Sequence, residues 1–429
     1  MARTFYSLLL RLLAPLLWLW MLSRARKVGG RWGIFSGPRF GFYDRANEGA
    51  APRENIWIHA VSLGETRAVQ PLIQALLAVG ERILLTHTTV TGRDEGQRLF
   101  AEAVANGSLV QEWLPYDFPG ATRRFFHHFQ PRLGLLVERE VWPNLLYQAA
   151  RKNVPMVLVS ARFSASALRQ ARWLGGALRQ AYGRLHVVLA QTQEDASRLR
   201  EIGAGHVQVV GNMKFDLALP AAQVQAGRVW RSQLNRPVVA IASTREGEDA
   251  VFVELIARTT GAATGNPLYL LIPRHPQRFS EVAAILDKHG IAYSRRASDH
   301  AIAITPDTRV LLGDTLGEMP FYYAVADVAI IGGGFAPLGG QNLIEACAAG
   351  TPVIVGPHMH NFEQATRDAV AAGAALQVAD AADAMREAAA LLNDGSRRAA
   401  MSEAALVWTA SHAGATNRIM QALRPWLRR

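Results

Sequence analysis

Residues 327–362 read DVAIIGGGFAPLGGQNLIEACAAGTPVIVGPHMHNF. The apolar run 328–331 gives way to Gly332, Gly333 and Gly334. Gly339, Gly340, Gln341 and Asn342 follow, then a helix-like run to Ala349 and a second apolar run, 352–355. The order is strand, glycine-rich loop, helix, strand. Glycine lets the backbone approach a ligand closely, and a helix N-terminus offers unpaired N–H groups to an anion. Glu345 falls in the first turn of that helix, where its carboxylate can accept hydrogen bonds from sugar hydroxyls. The same pattern also suits a plain α/β turn whose acidic residue is favoured by the helix dipole.

Outward from this stretch, short apolar runs alternate with helix-period segments. Strands are expected at 56–60, 83–86, 133–138, 155–160, 186–190 and 207–210, and again at 238–242, 268–273, 310–312, 328–331, 352–355 and 375–378. Such alternation means mostly parallel sheets with helices on both faces. The pattern lapses over 216–236, which reads as a linker. The expected organisation is a membrane anchor at 1–30, an acceptor-side Rossmann-like domain at 31–215, the linker, a donor-binding Rossmann-like domain at 237–410 and a final helix at 411–429 packing back on the first domain. Two doubly wound domains would face each other across a cleft.

The chain has 429 residues, half of them apolar, and 46 Lys plus Arg against 35 Asp plus Glu, a net charge of +11. That surplus suits an anionic partner. The basic residues are scattered rather than blocked, which argues against nucleic acid. One cysteine, Cys347, cannot form an internal disulfide, and it sits in an apolar helix as core filler. Residues 5–22, FYSLLLRLLAPLLWLWML, precede Arg24, Arg26, Lys27 and Arg31. Tryptophans followed by positive charge mark a membrane boundary. A central Arg costs about 2.5–3.5 kcal/mol against about 0.3–0.6 regained per Leu, so spanning at Arg11 is marginal. Arg3, Ser7 and Arg11 form a polar stripe suited to a helix lying in the headgroup layer. Trp32, Phe35, Phe40, Phe42 and Tyr43, with Arg31 and Arg39, are expected to continue the membrane face.

In open α/β sheets ligands bind beyond the carboxyl ends of the strands. After the first strand stand Ser62, Leu63, Gly64 and Glu65, the last either a helix cap or a general base. Glu138 and Glu140 follow 133–138 as a charge network, a metal pair or a hydroxyl binder. Lys214 closes the first domain. In the second domain Ser243 and Thr244 end a strand and can cap a helix or hold a phosphate. Pro273-Arg274-His275-Pro276 holds an Arg rigidly, with a fork suited to phosphate. Leu316, Gly317 and Glu318 follow another strand. No Asp-x-Asp pair, Gly-x-Ser-x-Gly elbow or Gly-Lys-Ser/Thr loop occurs. His358 and His360 lack a spaced partner pair for a metal. No metal and no cofactor are expected.

Taken in order, the apolar N-terminus, HAVSLGE (59–65), EREVWPN (138–144), GNMKFD (211–216), residues 243–249, PRHP (273–276), GDTLGE (313–318) and GGQNLIE (339–345) resemble the 3-deoxy-D-manno-octulosonic acid (Kdo) transferases of lipopolysaccharide synthesis, nearly end to end. The resemblance implies a GT-B glycosyltransferase, inverting and metal-independent, with CMP-Kdo as donor and a lipid A precursor as acceptor. It implies anchoring at the cytoplasmic face of the bacterial inner membrane, among its lipids. Glu65 matches the family's base, Arg274 the phosphate contact, Asn342 and Glu345 the CMP-holding positions, and Leu316-Gly317-Glu318 the backbone along the cytidine. Pro273 belongs to the same donor motif. Glu138, Lys214, Ser243, Thr244, Gly339 and Gly340 match further motif positions. Arg245, Gly334 and Gln341 depart from the family's His, Ser and His. Two rival readings stand beside this one: a membrane-associated GT-B enzyme using a UDP-sugar, and a non-catalytic nucleotide sensor.

Overall fold

The computed structural model describes residues 2–27, 33–44, 55–259, 265–297 and 304–427. The chain forms two compact units, Met1–Leu217 with Ala413–Arg429, and Ala218–His412. Unit 1 is built on seven strands: β1 (Ile56–His59), β2 (Ile83–His87), β3 (Leu109–Trp113), β4 (Leu133–Val137), β5 (Met156–Ala161), β6 (Val187–Ala190) and β7 (Val207–Val209). They pair in parallel in the order β3-β2-β1-β4-β5-β6-β7. Unit 2 holds β8 (Val238–Thr244), β9 (Leu268–Pro273), β10 (Tyr293–Arg295), β11 (Val310–Leu312), β12 (Val328–Ile331), β13 (Val353–Val355) and β14 (Ala375–Gln377). Their order is β10-β11-β9-β8-β12-β13-β14, again all parallel.

The central strands are buried on both faces, which is why they read as unbroken apolar runs. In β1, Ile56 and Ile58 join one core cluster and Trp57 joins the other. Strands β3 and β10 were not expected from the sequence. Residues 109–113, LVQEW, carry Gln and Glu because β3 is an edge strand buried only in part, and β10 is a three-residue edge. In each sheet the strand order reverses beside the first strand, between β1 and β4 and between β8 and β12, and these are the points where open α/β sheets leave a crevice.

Residues 216–236 are not a linker. The helix Ala221–Gln233 belongs to unit 2 and packs on the helix Met319–Val325. A Cβ at Gly227 would lie 2.6 Å from the Phe321 carbonyl, so glycine permits the close crossing. Trp230 stacks on Phe321, and Arg231 pairs with Asp327 at 2.9 Å. The contact is made by one glycine, one aromatic and one ion pair, which is why the polar sequence masked it. Gln223 Nε2 donates to the Gly317 carbonyl at 3.0 Å, so this helix also holds the 313–318 loop.

The helix Ala415–Leu423 packs against Gln70–Ala78 in unit 1. Asp216, the last residue of GNMKFD, accepts the backbone N–H groups of Gly414 and Thr416 through its two carboxylate oxygens. Its replacement by Ala should leave both amides unmet at a helix start and cost about 1–2 kcal/mol. A thermal melt would read this as a clear drop in Tm, which Asp216→Asn restores in part; an unchanged melt would refute the role.

The N-terminal helix Ala2–Lys27 includes a stretch, Ala2–Ser23, long and apolar enough to cross a membrane. One face docks on unit 1. Asn144 Oδ1 accepts from Arg3 Nη1 and Ser7 Oγ, both at 3.0 Å, and the Arg3 guanidinium lies 3.8 Å from the Tyr147 ring centre. Trp18 joins Phe40, Tyr116 and Phe118 in an aromatic cluster. The stripe read for the headgroup layer is therefore corrected: Arg3 and Ser7 clamp the protein, while Arg11 is exposed. Asn144 offers them a buried acceptor that the sequence pattern could not reveal. Phe5, Leu12, Leu16 and Leu19 form the exposed opposite side. Of the residues expected to continue the membrane face, Phe35 and Phe42 are exposed, whereas Arg39 is buried and Tyr43 packs on Phe125 and Phe129. Arg31, Trp32 and the side chains of Arg24, Arg26 and Lys27 lie outside the described residues.

Candidate active site

At the reversal point of unit 1, β1 runs into the short helix Leu63–Ala68. Ser62 Oγ accepts the Glu65 N–H at 3.3 Å, and Glu65 Oε2 accepts the N–H groups of Val61 at 2.5 Å and Ser62 at 3.1 Å. This is a capping box, with Ser at the cap and Glu three residues on. Both bonds fall on Oε2, which leaves Oε1 as the oxygen to take a proton. Burial pushes the Glu65 carboxyl up to about 8, the charges of Glu138 and Glu140 add to this, and the backbone bonds oppose it. A helix start by itself favours the ionised form, but at Glu65 desolvation and like charge outweigh it.

Across the reversal, Glu138 follows β4 with φ at 58°, a left-handed conformation that costs a non-glycine residue energy. Lys214 Nζ donates to Glu138 Oε1 at 2.9 Å. Burial raises the Glu138 carboxyl, but Lys214, then Arg162 and Arg139, outweigh it and hold it below the usual range. Glu140 takes a different partner, the Trp142 indole, at 3.0 Å, and burial raises it. Behind it His59 is fully buried, bonded through Nδ1 to Thr86 Oγ1 at 2.9 Å, with Nε2 3.9 Å from Glu140. Burial lowers its imidazole to about 3, so it is neutral. Glu138 and Glu140 thus have separate partners.

In unit 2 the ends of β8, β9 and β12 adjoin. Arg274 donates its backbone N–H to the Thr244 carbonyl at 2.9 Å and its Nε to Gln341 Oε1 at 3.2 Å. Gln341, one of the three departures, is thus a partner of the phosphate-contact candidate. Asn342 Nδ2 donates to Glu345 Oε1 at 3.0 Å while its Oδ1 caps the Ile344 N–H. Ser243 has φ at 59° and Thr244 is buried, its hydroxyl on Asp249. Gly339 and Gly340 have φ of 95° and 76°; a Cβ on the first would meet Asn361 at 2.2 Å and on the second Met359 at 2.3 Å. Glu318 is tied to Arg296 at 2.8 Å and to Thr315, while Leu316 is exposed. Pro273 ends β9 in the core.

The triple-glycine turn is not an open anion cradle. Glu248 accepts the N–H groups of Gly333, Phe335 and Ala336 at 2.6, 2.9 and 3.2 Å, and that of Arg245 at 2.9 Å. A buried carboxylate of this chain therefore fills the place an anion would take. Glu246 instead pairs with Arg245. Among the described residues no three His, Cys, Asp or Glu gather for a metal.

The family model of 3-deoxy-D-manno-octulosonic-acid transferases matches residues 36–217, and that of glycosyl transferases group 1 matches 294–408. A 3-deoxy-D-manno-octulosonic acid transferase of Bordetella pertussis is 62% identical over 431 residues, covering 100% of both chains. The chain belongs to the Kdo transferase family. A second member, from Haemophilus influenzae, is 32% identical over 436 residues, also covering 100% of both. Anabaena HepE in complex with UDP shares the fold, with a TM-score of 0.57 at 12% identity, covering 86% of this chain and 100% of that one.

As a Kdo transferase the protein is a glycosyltransferase, and the nucleotide-sensor reading falls away. Several motif residues are explained by packing. In GNMKFD, Asn212 caps the turn, Met213 is core, Lys214 meets Glu138 and Asp216 holds the C-terminal helix. In EREVWPN, Trp142 bonds Glu140 and Asn144 clamps the N-terminal helix. Sequence reasoning missed His59 behind Glu140 and Glu248 under the glycine turn. Both stood inside quoted motifs, His59 in HAVSLGE and Glu248 in residues 243–249, but nothing local showed which groups they would meet.

Proposed function

We propose that this Kdo transferase moves Kdo from CMP-Kdo to a sugar hydroxyl of a lipid A precursor, with inversion and without a bound metal, at the cytoplasmic face of the bacterial inner membrane. The observation that carries the reading is Glu65: a half-buried carboxyl beside two others, raised to about 8, with one oxygen fixed by the backbone. A general base works best when its pKa lies near the working pH. Glu65 Oε1 takes the hydroxyl proton as the acceptor oxygen attacks the anomeric carbon of Kdo and CMP leaves. The Glu138–Lys214 pair fixes the charge next to it.

In unit 2, Arg274, positioned by Gln341, meets the departing phosphate, and Asn342 and Glu345 hold the ribose. Fixed donors of this kind stabilise charge that develops as the bond breaks. The exposed leucines of the N-terminal helix hold the enzyme at the lipid surface.

The test is turnover of CMP-Kdo with a tetra-acylated, bisphosphorylated glucosamine disaccharide, the product weighed by mass spectrometry, which also counts the Kdo units added. Activity with UDP-sugars and none with CMP-Kdo would reject the donor. Arg274→Ala should weaken CMP and CMP-Kdo alike, and Glu345→Ala should weaken CMP through the ribose. Unchanged CMP affinity by calorimetry in both variants would refute the donor site. EDTA should leave the rate unaltered; a loss that Mg²⁺ restores would overturn the metal-free reaction.

A further inference from the structure

Unit 1 contains a cavity of about 220 Å³ between the N-terminal helix and the segments that follow β2 and β3. Leu10, Ala14, Leu17, Trp18 and Met21 line it from the helix, and Leu114, Tyr116, Phe118 and Leu145 from the body. Protein interiors are close-packed, and water occupies a cavity only where polar groups hold it. Here the walls are carbon almost throughout. Leu17 and Trp20, which belong to the lining, are also part of the helix's exposed apolar side, 46% and 57% accessible. The cavity is therefore continuous with the surface that would meet lipid.

Two charged side chains reach its wall, Asp117 and Arg39, both buried. Asp117 accepts the N–H groups of Asn144 and Leu145. Arg39 is less well satisfied. It is 1% exposed, donates from Nη2 to the Thr88 carbonyl at 2.5 Å and stacks 4.2 Å from the Trp113 ring centre, but its Nε has no partner. A buried donor without an acceptor is costly, and an arginine prefers an anionic or carbonyl oxygen. On another side the wall is Trp142, whose indole bonds Glu140 in the carboxylate cluster around Glu65. Apolar lining, an unmet cationic donor and contact with the reaction centre describe a ligand that is hydrocarbon at one end and oxygen-rich at the other.

We propose that this cavity takes one acyl chain of the acceptor, with an acceptor carbonyl or phosphate oxygen meeting the Arg39 guanidinium where it lines the wall; this rests on the reading of the acceptor as an acylated, phosphorylated sugar. The helix then forms one wall of the acceptor site as well as the anchor. Bulk phospholipid would instead cover the outer side, at Leu12, Leu16 and Leu19.

The full-length enzyme in mixed micelles tests this with the tetra-acylated acceptor and its chemically deacylated counterpart. Ala14→Phe and Leu17→Trp fill the cavity from the helix, the second at a half-exposed position that tolerates bulk. Both should lower kcat/KM on the acylated acceptor about tenfold or more, as steric loss in an apolar pocket does. Both should leave the deacylated acceptor and CMP affinity unaffected. An equal fall on the two acceptors, or no fall in either variant, would overturn the slot. An acceptor carrying a diazirine on one chain gives a readout that needs no turnover: its label should map to residues 10–21 and 114–118. A phospholipid with the same diazirine labelling those residues as strongly would assign the cavity to bulk lipid and refute the proposal. A wild-type enzyme that fails to turn over either acceptor, yet takes the acceptor label there, would count against the proposed reaction and not against the slot.

Discussion

Replacing Glu65 by Gln should abolish most catalysis while leaving the protein folded. Gln serves at the third position of a capping box as Glu does, so the turn that joins β1 to its helix keeps its bonds. What is lost is a group able to take a proton. The turnover number should fall about 10²–10⁴-fold, the usual worth of a positioned base, while CMP affinity stays the same. The pH profile adds a second reading. A base must be ionised, and burial with two neighbouring carboxylates raises Glu65 to about 8. Wild-type kcat/KM should therefore climb as pH rises through about 8 and level off above it. Glu140→Gln removes one of the two charges and should move that limb to lower pH. Near wild-type turnover in Glu65→Gln, or a limb that Glu140→Gln leaves in place, would end the assignment.

The other large effect concerns Lys214. Its ammonium and the Glu138 carboxylate are 17% and 11% exposed and 2.9 Å apart. Removing one member of such a pair leaves the other charge without compensation, at a cost of about 3 kcal/mol or more. Lys214→Met should therefore shift the chemical unfolding midpoint strongly, and Glu138→Gln added to it should recover part of the loss. The sign with pH follows from Glu138. Its folded pKa is depressed, so the pair's contribution is present above the ordinary carboxylate value and is lost as pH falls through the depressed one. The gap between wild type and Lys214→Met should close on acidification. Equal stability at neutral pH would show that the pair is only a surface contact. The residual activity of folded Lys214→Met should have its ascending limb displaced to higher pH, since Glu65 would then face Glu138 without its counter-ion.

Much of this protein is legible in one dimension because parallel sheets bury their strands on both faces. Runs such as 133–137 and 328–331 are apolar at every position, and the glycines and carboxylates that follow them mark strand ends. The two-sheet architecture, Glu65, Arg274 and the Glu345 turn could all be placed from that pattern and from the order of the motifs. Where burial is partial, the pattern fails. The edge strands β3 and β10 carry polar residues, and the helix Ala221–Gln233 makes its contact through Gly227, Trp230 and Arg231 without a broad apolar stripe.

Only the tertiary structure decides which polar groups meet, because hydrogen bonds and ion pairs join residues far apart in the chain. Glu138 and Glu140 are two residues apart, yet one answers Lys214 and the other Trp142 and His59. Glu248 fills the glycine turn 85 residues downstream, which the sequence offered as an anion site. Arg3 and Ser7, read in the sequence as part of a headgroup-facing stripe, bond Asn144 instead. The sequence determined the strands, their ends and the family they belong to, since local hydrophobicity and motif order carry that information. The fold alone decided the ionisation of Glu65, because desolvation and neighbouring charge exist only once the chain has closed around it.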